Sequence, residues 1–322
     1  PVLKILIKLL ELLTIVFTKV SINIILPKMS IIVIIIYYLN IFLLSKYKKV
    51  YYHLFNILFL LIYPYGYSLD NSLNVYYLDV SQGDASILIS PKKEVTMIDT
   101  GGITNDKNFY TAKNIIKFLH SINIKKIDNL IISHGDFDHI GNAFYLVDNI
   151  KIKKVILNCG EVNDLENDLI KILTKNQIKY YTCIKELNIN DNKLSFLQTG
   201  KYDNENDNSN VIYTELNGYK FMFMGDASIL KEEDIIKKYK LAKIDFLKVG
   251  HHGSKTSSSK EFISKMNPKY SIISVGRKNK YGHPNKEVLN NLDNSKIYRT
   301  DQDGSIMFKI KDNKLKIETY SP

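Results

Sequence analysis

The sequence predicts an α/β domain that is preceded by apolar N-terminal helices, and three observations lead to it. From about residue 71 to the end of the 322-residue chain, short strand-like runs alternate with runs of helical periodicity. The first 70 residues are instead dominated by Leu, Ile, Val, Phe and Tyr. Loops rich in His and Asp follow several of the strand-like runs. The length suits one domain of about 250 residues plus an accessory segment.

Two apolar stretches, residues 22–44 and 50–69, have the length of transmembrane helices. The first carries one charge, Lys28, and the second carries none if His53 is neutral. Each reaches roughly the 20 residues that are needed to cross a bilayer. We therefore predict two transmembrane helices within an N-terminal domain of residues 1–70. The alternative is a pair of buried core helices.

Charged residues interrupt the segment that precedes these stretches, residues 1–20, at an amphipathic spacing. They are Lys4, Lys8, Glu11 and Lys19. We expect this segment to lie at a membrane interface or to pack on other membrane helices. Because the chain starts with Pro1 rather than Met, we expect it to be part of a longer membrane protein.

The orientation in the membrane follows from basic residues between the two stretches. Lys46, Lys48 and Lys49 occupy that short loop. Short basic loops stay in the cytoplasm, so both flanks, including the α/β domain of residues 71–322, are expected outside it.

The overall charge and the two cysteines restrict the function less. A net charge of +11 suits a polyanionic partner such as nucleic acid. Lys, Asn, Ile and Tyr are all abundant while Trp is absent, a bias that codon composition alone can produce, so the lysine content is weak support. Cys159 and Cys183 are compatible with one disulfide outside the cytoplasm or with two inert thiols, and neither has metal-ligand spacing.

Period-two alternation and helical periodicity give the order of elements in the second domain. The predicted strands are 73–80, 85–90, 94–98, 129–132, 154–157, three candidates before 219, then 219–224, 244–250, 271–275 and two short closing strands. The predicted helices are 111–122, 164–176 and 230–239.

The loop after the strand 129–132 has the composition of a metal site. It places His134, Asp136, Asp138 and His139 within six positions. Imidazole and carboxylate are ligands of first-row divalent ions, and alternate residues of an extended loop can converge on one ion while the next pair reaches a second. The spacing predicts that His134 and Asp136 share one ion and that Asp138 and His139 share another. The alternative is a polar surface turn.

Two later loops contribute further candidate ligands. Asp226 follows the strand 219–224 directly and could bridge two ions, or cap the next helix, or do both. His251 and His252 follow the strand 244–250. Five of the seven histidines of the chain fall in loops of this kind, which a purely structural role does not explain.

The loop 276–284 is basic and contains the last of these five histidines, His283. It is a candidate for holding a phosphate group near the metal ions, and the alternative is an ordinary exposed basic loop.

These motifs, taken in order, resemble the metallo-β-lactamase domain of ComEC-type competence proteins, which are bacterial inner-membrane channels that carry single-stranded DNA into the cell. The resemblance covers residues 73–317. It rests on the segments 78–85, 98–101, 134–139, 225–226, 248–257 and 281–284. The helices before residue 70 resemble the last membrane segments of the family.

The resemblance implies a four-layer αββα sandwich with a dinuclear metal centre between its two sheets. His134 and Asp136 would hold one ion and Asp138 and His139 the other. Asp226 would bridge the ions, and His251 and His252 would complete the ligand set, in an order that the sequence leaves open. Two further carboxylates, Asp84 and Asp99, would orient the ligands.

The chain departs from the wider fold at two ligand positions. Asp136 stands where many members have histidine, which shifts the site toward harder ions such as manganese or magnesium, with zinc still possible. Residues 208–210 are Asn, Ser and Asn where the wider fold supplies another histidine.

The resemblance implies a hydrolase that acts on single-stranded or double-stranded DNA by metal-assisted phosphodiester hydrolysis. Asp138 and His283 are expected to take part in the chemistry. The residues expected to contact the substrate are Ser254, Lys255, Arg277 and Tyr281. The remainder of a channel protein and the membrane would be its partners, in a multi-pass protein of the bacterial inner membrane whose hydrolase domain lies outside the cytoplasm. The alternatives are a docking domain that binds metal and DNA without turnover, and a hydrolase of a small phosphoester or a lactam.

Overall fold

The computed structural model describes residues 4, 7, 8, 10–12, 14, 15, 27–64, 66, 69–104, 106 and 108–320. The chain divides into two compact units, and they are described separately. One contains residues 1–67 with 120–123, and the other contains 68–119 with 124–322. The assignment of residues 1–70 and 71–322 to two domains stays a prediction.

The N-terminal unit contains two helices, α1 (Ile31–Tyr47) and α2 (Val50–Ile62). They are joined by a buried polar contact, in which the Asn40 amide donates to Asn56 Oδ1 at 2.7 Å and to the Tyr52 carbonyl at 3.3 Å. The described positions among residues 1–20 are helical as well.

The predicted transmembrane spans 22–44 and 50–69 are wrong in their bounds. The Ser30 hydroxyl accepts a hydrogen bond from the Val33 amide and begins α1, and Lys48, in the left-handed conformation, ends it. The helix α2 ends at Ile62, and its C-cap Tyr63 precedes Pro64, which has no backbone N–H to continue the helical hydrogen bonds. Residues 22–26, 65, 67 and 68 lie outside the described residues. Within the described part of the chain, no helix combines the length and the apolar character that crossing a membrane requires.

The second unit is built on two large sheets. The first sheet, in order across it, is β17 (Lys314–Tyr320), β16 (Ser305–Lys311), β1 (Leu73–Tyr77), β2 (Ser86–Ile89), β3 (Val95–Ile98), β5 (Asn129–Ile131), β7 (Lys154–Leu157) and β8 (Lys179–Thr182). Its strands pair antiparallel from β17 to β3 and parallel from β3 to β8.

The second sheet has its parallel strands on one side and its antiparallel strands on the other. Its order is β15 (Lys296–Arg299), β14 (Tyr270–Ile273), β13 (Phe246–Lys248), β12 (Tyr219–Phe223), β11 (Ile212–Leu216), β10 (Asn192–Phe196) and β9 (Glu186–Ile189). The strands β12 to β15 pair in parallel. A small parallel pair is formed by β4 (Lys126–Ile127) and β6 (Lys151–Ile152).

The core between the two sheets combines aliphatic side chains with a group of stacked and edge-on aromatic rings. Phe246 of the second sheet stacks on Phe221 with ring centroids 4.5 Å apart and meets Phe308 of the first sheet edge-on at 4.8 Å. Tyr77 of β1 stacks on Phe223 of β12 at 6.0 Å. All of these rings are buried, so their apolar surface is a main source of the stability of the sandwich.

Helices supply the remaining layers. They are α3 (Tyr110–Ser121), α4 (Phe137–Ile140), α5 (Ala143–Asn149), α6 (Asp164–Lys175), α7 (Ile229–Lys238), α8 (Lys260–Met266), α9 (Lys286–Asn291) and α10 (Thr300–Asp303). Apolar side chains of α7, α8 and α9 form a second core with the outer face of the second sheet. On the first sheet, Phe118 of α3 packs edge-on against Tyr76 of β1. The predicted α/β sandwich is therefore confirmed.

The two cysteines form a disulfide, Cys159–Cys183. It joins the loops that follow β7 and β8, two neighbouring parallel strands. The sequence allows either one disulfide or two free thiols, and the structure shows the disulfide.

The helix α6 begins with a capping box that contains a buried carboxyl group. The Asn163 side chain accepts from the Glu166 amide at 2.9 Å, and Glu166 Oε2 accepts from the Asn163 amide at 3.0 Å. Glu166 Oε1 is buried and has no hydrogen-bond partner among the described residues. Burial raises the pKa of Glu166 to about 7.

This raised pKa predicts a pH-dependent stability. Glu166 is easier to ionise in the unfolded chain, so its contribution is complete below its ordinary pKa and is lost as the pH rises through about 7. Glu166→Gln keeps the cap but cannot ionise. We expect its free energy of unfolding in urea to match wild type at about pH 4 and to exceed it by roughly 1–2 kcal/mol at about pH 8. The exposed Glu161→Gln is the control, and an identical pH dependence in wild type and Glu166→Gln would contradict the assignment.

Candidate metal centre

The candidate ligands come from loops that leave the carboxyl ends of parallel strands. His134 follows β5, Asp226 follows β12 and His252 follows β13. The carboxyl ends of neighbouring parallel strands lie at one edge of a sheet, where open α/β sheets bind ligands. The structure brings these loops together, since the His251 amide donates to the Gly225 carbonyl at 3.0 Å.

His139 has one ring nitrogen fixed by a carboxylate and the other directed at the centre. Its Nδ1 lies 3.0 Å from Asp99 Oδ2, and Asp99 Oδ1 accepts from the Ser133 amide at 2.6 Å. Its Nε2 lies 3.1 Å from Asp226 Oδ1. Burial lowers the pKa of His139, but Asp226 and Asp99 outweigh it and hold the pKa well above the ordinary value. Asp99 therefore orients this imidazole, as expected of a residue that supports a ligand.

His252 is oriented in the same way by a backbone carbonyl. Its Nδ1 donates to the Ser274 carbonyl at 2.9 Å, so Nε2 is the ring nitrogen that faces the centre. That Nε2 lies 3.2 Å from Asp138 Oδ2 and 3.7 Å from Asp226 Oδ1. Burial lowers the pKa of His252, but the nearby carboxylates raise it to about 10. The geometry thus places His252 with Asp138 and His139.

His134 is buried and stands between two hydroxyl groups and the centre. Its Nδ1 lies 3.0 Å from Ser133 Oγ and 3.4 Å from Ser209 Oγ. Its Nε2 lies 3.5 Å from Asp136 Oδ2. The side chain of Asp136 is about half exposed, so this carboxylate lies on the open side of the centre.

His251 occupies the solvent side. Its Nε2 lies 3.7 Å from Asp226 Oδ2, and its Nδ1 lies 3.1 Å from Thr256 Oγ1. His251 and His252 both have positive φ, 47° and 53°. Non-glycine residues rarely adopt this conformation, and such strain is concentrated at functional sites. The strained turn directs two adjacent side chains toward Asp226.

Several buried polar atoms make no hydrogen bond among the described residues, and they test whether a divalent metal ion fits the site. Four of them face one another: His134 Nε2, His139 Nε2, His252 Nε2 and Asp226 Oδ1. Leaving such atoms unpaired costs about 1–3 kcal/mol each, so they call for a cation. Imidazole nitrogens and carboxylate oxygens are the donors that divalent first-row ions take.

Among the described residues, four overlapping groups of donors are close enough to hold an ion, with the donor atoms of each group within 4.8 Å of one another. Two of these groups consist of predicted ligands alone, namely His134 with His139 and Asp226, and Asp138 with His139 and His252. The other two groups include Asp84. Asp226 belongs to the first group and also lies within reach of His252, which is consistent with the bridging role that the sequence predicts. The ligand assignment itself stays a prediction.

A buried ion pair that the sequence reasoning missed supports one side of the centre. Lys248 Nζ lies 2.6 Å from Asp84 Oδ2, and both side chains are buried. Asp84 Oδ1 lies 3.3 Å from His252 Nδ1. Burial raises the pKa of Asp84, but Lys248 and His252 outweigh it and hold the pKa well below its usual range. The signal in the sequence was a single lysine inside an apolar strand.

A second missed element is the loop 207–210, which stands where the wider fold was expected to supply a histidine. Lys231 is buried and donates to the carbonyls of Asp207 and Ser209, each at 2.8 Å. Burial lowers the pKa of Lys231 to about 8. Ser209 Oγ accepts from the Asp226 amide at 3.1 Å. The loop therefore positions Asp226 and His134 rather than adding a ligand.

One glycine allows the loop of Asp84 to approach the histidine loop. A Cβ atom at Gly83, whose φ is 141°, would lie 2.4 Å from the Asp138 carbonyl oxygen. The Asp84 amide donates to that same oxygen at 3.1 Å. Any other residue at position 83 would separate the two loops.

The residues expected to contact the substrate are spread around the opening. Lys255 lines a groove together with His251, Thr256 and Asn206. Ser254 is buried, and its hydroxyl lies 3.0 Å from Thr256 Oγ1 within the same loop.

The basic loop 276–284 also reaches His251. The His283 ring lies 5.8 Å from the His251 ring, and burial lowers the pKa of His283, helped by the nearby His252 and His251. Tyr281 is 70% exposed. Arg277 lies 3.6 Å from Asp79 with its side chain half exposed.

Comparison with known proteins agrees with the fold and the motifs. The family described as the metallo-beta-lactamase superfamily matches residues 79–277, and the chain belongs to this superfamily. Within it, the chain is related to ComEC-type competence proteins, which confirms the resemblance. It is 32% identical to ComE operon protein 3 of Bacillus subtilis, over 83% of this chain and 36% of that protein.

Two further relatives are similar over about three quarters of the chain. Competence protein ComA of Neisseria gonorrhoeae is 28% identical over 74% of this chain and 32% of its own length. Recombination protein 2 of Haemophilus influenzae is 29% identical over 75% of this chain and 29% of its own length. The chain thus spans about a third of the length of these relatives.

Solved structures show the same fold at low identity. The metallo-beta-lactamase fold protein YhfI from Bacillus subtilis gives a TM-score of 0.52 at 10% identity, over 74% of this chain and 99% of that one. A mutant of the CmlA beta-hydroxylase gives 0.50 at 9% identity, over 74% of this chain and 54% of that one. These likenesses show the fold alone.

The central position of Asp226 predicts how its removal changes metal binding. Asp226→Asn keeps the size and removes the charge, and we expect the affinity for manganese or zinc in equilibrium dialysis to fall by about tenfold or more. Asp168→Asn changes a carboxylate of an exposed surface pair and is the matched control. Unchanged affinity and metal content in Asp226→Asn would contradict the assignment.

Proposed function

We propose that this chain is the metal-dependent phosphodiesterase of a DNA-uptake channel. The observation that carries the proposal is the set of buried, unpartnered nitrogen and oxygen atoms around Asp226. The relation to competence proteins supplies the substrate class, since the superfamily alone does not.

The balance of donor types favours a phosphodiester over a lactam. Asp136, Asp138 and Asp226 supply three carboxylates beside the four imidazoles of the predicted ligand set. Carboxylate ligands suit manganese or magnesium, which commonly bind phosphate oxygens as well. Such ions, when bound, would neutralise the charge that develops on the phosphoryl group and make a water molecule more acidic.

Asp138 is the residue best placed to handle a proton. Its side chain is one-third exposed, whereas Asp226 is buried. Burial raises the pKa of Asp138, but His252 and His139 outweigh it and keep the carboxyl group ionised at neutral pH. Asp138 can therefore accept a hydrogen bond from an attacking water molecule in addition to holding an ion.

His283 is suited to hold a phosphate oxygen. Because its pKa is lowered, the imidazole is neutral at neutral pH, and its N–H can donate to an oxygen of the substrate. Lys255, which lines a groove with His251, would attract the nucleic acid backbone.

The two N-terminal helices are proposed to anchor the domain in the bacterial inner membrane, together with the remainder of the channel. Most of their large apolar side chains are exposed. Their Asn40–Asn56 contact is of the kind that joins helices in lipid. The loop with Lys46, Lys48 and Lys49 would face the cytoplasm and the hydrolase domain would lie outside. The disulfide fits an oxidising compartment.

The proposal predicts metal-dependent cleavage of DNA. The chain in detergent, supplied with manganese and labelled single-stranded DNA, should produce shorter products, and chelation should stop the reaction until metal is restored. Asp138→Asn should lower the rate by about a hundredfold or more, while Asp168→Asn should match wild type.

A different outcome would favour the alternative function. If the wild-type chain cleaves no DNA with manganese, magnesium or zinc but binds it in a salt-sensitive way, the domain is a docking element and the phosphodiesterase proposal is wrong.

A further inference from the structure

The loop 276–284 is held in shape by one side chain, Asn279. Its amide nitrogen donates to the carbonyls of Gly276 and His283, at 3.0 and 2.8 Å. Its amide oxygen accepts from the backbone amides of Tyr281 and His283, at 3.2 and 2.9 Å. Because one side chain satisfies four backbone groups, the positions of Tyr281 and His283 are fixed relative to each other.

In this arrangement the rings of His283 and His251 lie between the Tyr281 ring and the candidate metal centre. The Tyr281 ring stacks on His283 at an interplanar angle of 25° and a centroid distance of 5.6 Å. The His283 ring in turn meets the His251 ring edge-on at 5.8 Å. His251 Nε2 lies 3.7 Å from Asp226 Oδ2. The three rings thus form a row that leads outward from Asp226.

The outer end of this row is open. Tyr281 is 70% exposed although one of its faces lies against His283. An exposed aromatic ring adds little to the stability of the hydrophobic core, so the hydrogen bonds that hold Tyr281 in place do not serve core packing. The same loop carries exposed basic residues at positions 277, 278 and 280, which are Arg, Lys and Lys. Open aromatic faces in basic surroundings are what proteins use to bind single-stranded nucleic acid.

We propose that Tyr281 is a base-stacking residue that makes the site selective for single-stranded DNA. An unpaired base next to the scissile phosphate stacks on the open face of Tyr281, with His283 behind it. A base inside a duplex has both faces covered by its neighbours and would have to leave the stack first, which costs energy. The inference rests on the proposed function, since it identifies the form of nucleic acid that the same centre takes.

The test uses binding, so that it does not depend on cleavage. A single-stranded oligonucleotide that contains 2-aminopurine is titrated with the full chain in detergent. Stacking on an aromatic ring quenches this base, so wild type should quench its fluorescence. Tyr281→Phe should bind like wild type, and Tyr281→Ala should bind about tenfold more weakly and lose the quenching. Tyr180→Ala, at an exposed tyrosine of the edge strand β8, is the control.

A second measurement separates stacking from a structural role of the ring. An oligonucleotide with abasic positions has the phosphates but no bases, so wild type and Tyr281→Ala should bind it equally. Asn279→Ala, which releases the loop but keeps the tyrosine, should weaken binding of the normal oligonucleotide as Tyr281→Ala does.

The outcomes distinguish this inference from the function on which it rests. If wild type binds the oligonucleotide and Tyr281→Ala binds it equally well, or loses as much affinity for the abasic strand, base stacking is wrong and the phosphodiesterase proposal stands. If wild type binds no DNA, both are wrong.

Discussion

The structure around the candidate metal centre depends on one constraint, the burial of imidazole nitrogens and a carboxylate oxygen that make no hydrogen bond among the described residues. Nε2 of His139 and of His252 faces Asp226 Oδ1 at 3.1 and 3.7 Å. An unpaired polar atom in the interior costs about 1–3 kcal/mol, so the arrangement is unfavourable without a cation. The other ring nitrogens are held by Asp99 and by the Ser274 carbonyl, which prevents the imidazoles from turning away. The hydrophobic core beneath keeps the strand ends that carry these loops together.

The candidate ligands could be recognised in the sequence because most of them lie in loops that follow strands with a clear apolar pattern, although Asp138 and His139 lie in the short helix α4. Asp84 and Asp99 were predicted to support the ligands, but the other supporting residues were not. Lys248, Lys231 and Asn279 act through contacts between segments distant in sequence, or through backbone carbonyls, and neither leaves a periodic signal. The sequence analysis also missed some elements of the fold. Four strands, β8 to β11, lie before residue 219 where three were expected, and β15 and α8 were not predicted.

The N-terminal helices show a different limit of sequence reasoning. Hydropathy identified the two apolar stretches, but it averages over a window and does not register a helix end. Those ends are decided by single residues, the Ser30 cap, the left-handed Lys48 and Pro64. Composition predicts which segments are apolar helices, and local backbone chemistry decides how long they are. The interhelical contact between Asn40 and Asn56 likewise could not be predicted from hydropathy averaged over a window.

The central claim is that two divalent ions share Asp226 at the edge between the two sheets. Anomalous scattering at the manganese and zinc absorption edges, from crystals grown with these metals, tests it most directly. The account predicts two peaks that both lie within bonding distance of Asp226, one also bound by His134 and the other by Asp138 and His252. A single peak, or a pair of which neither contacts Asp226, would contradict it.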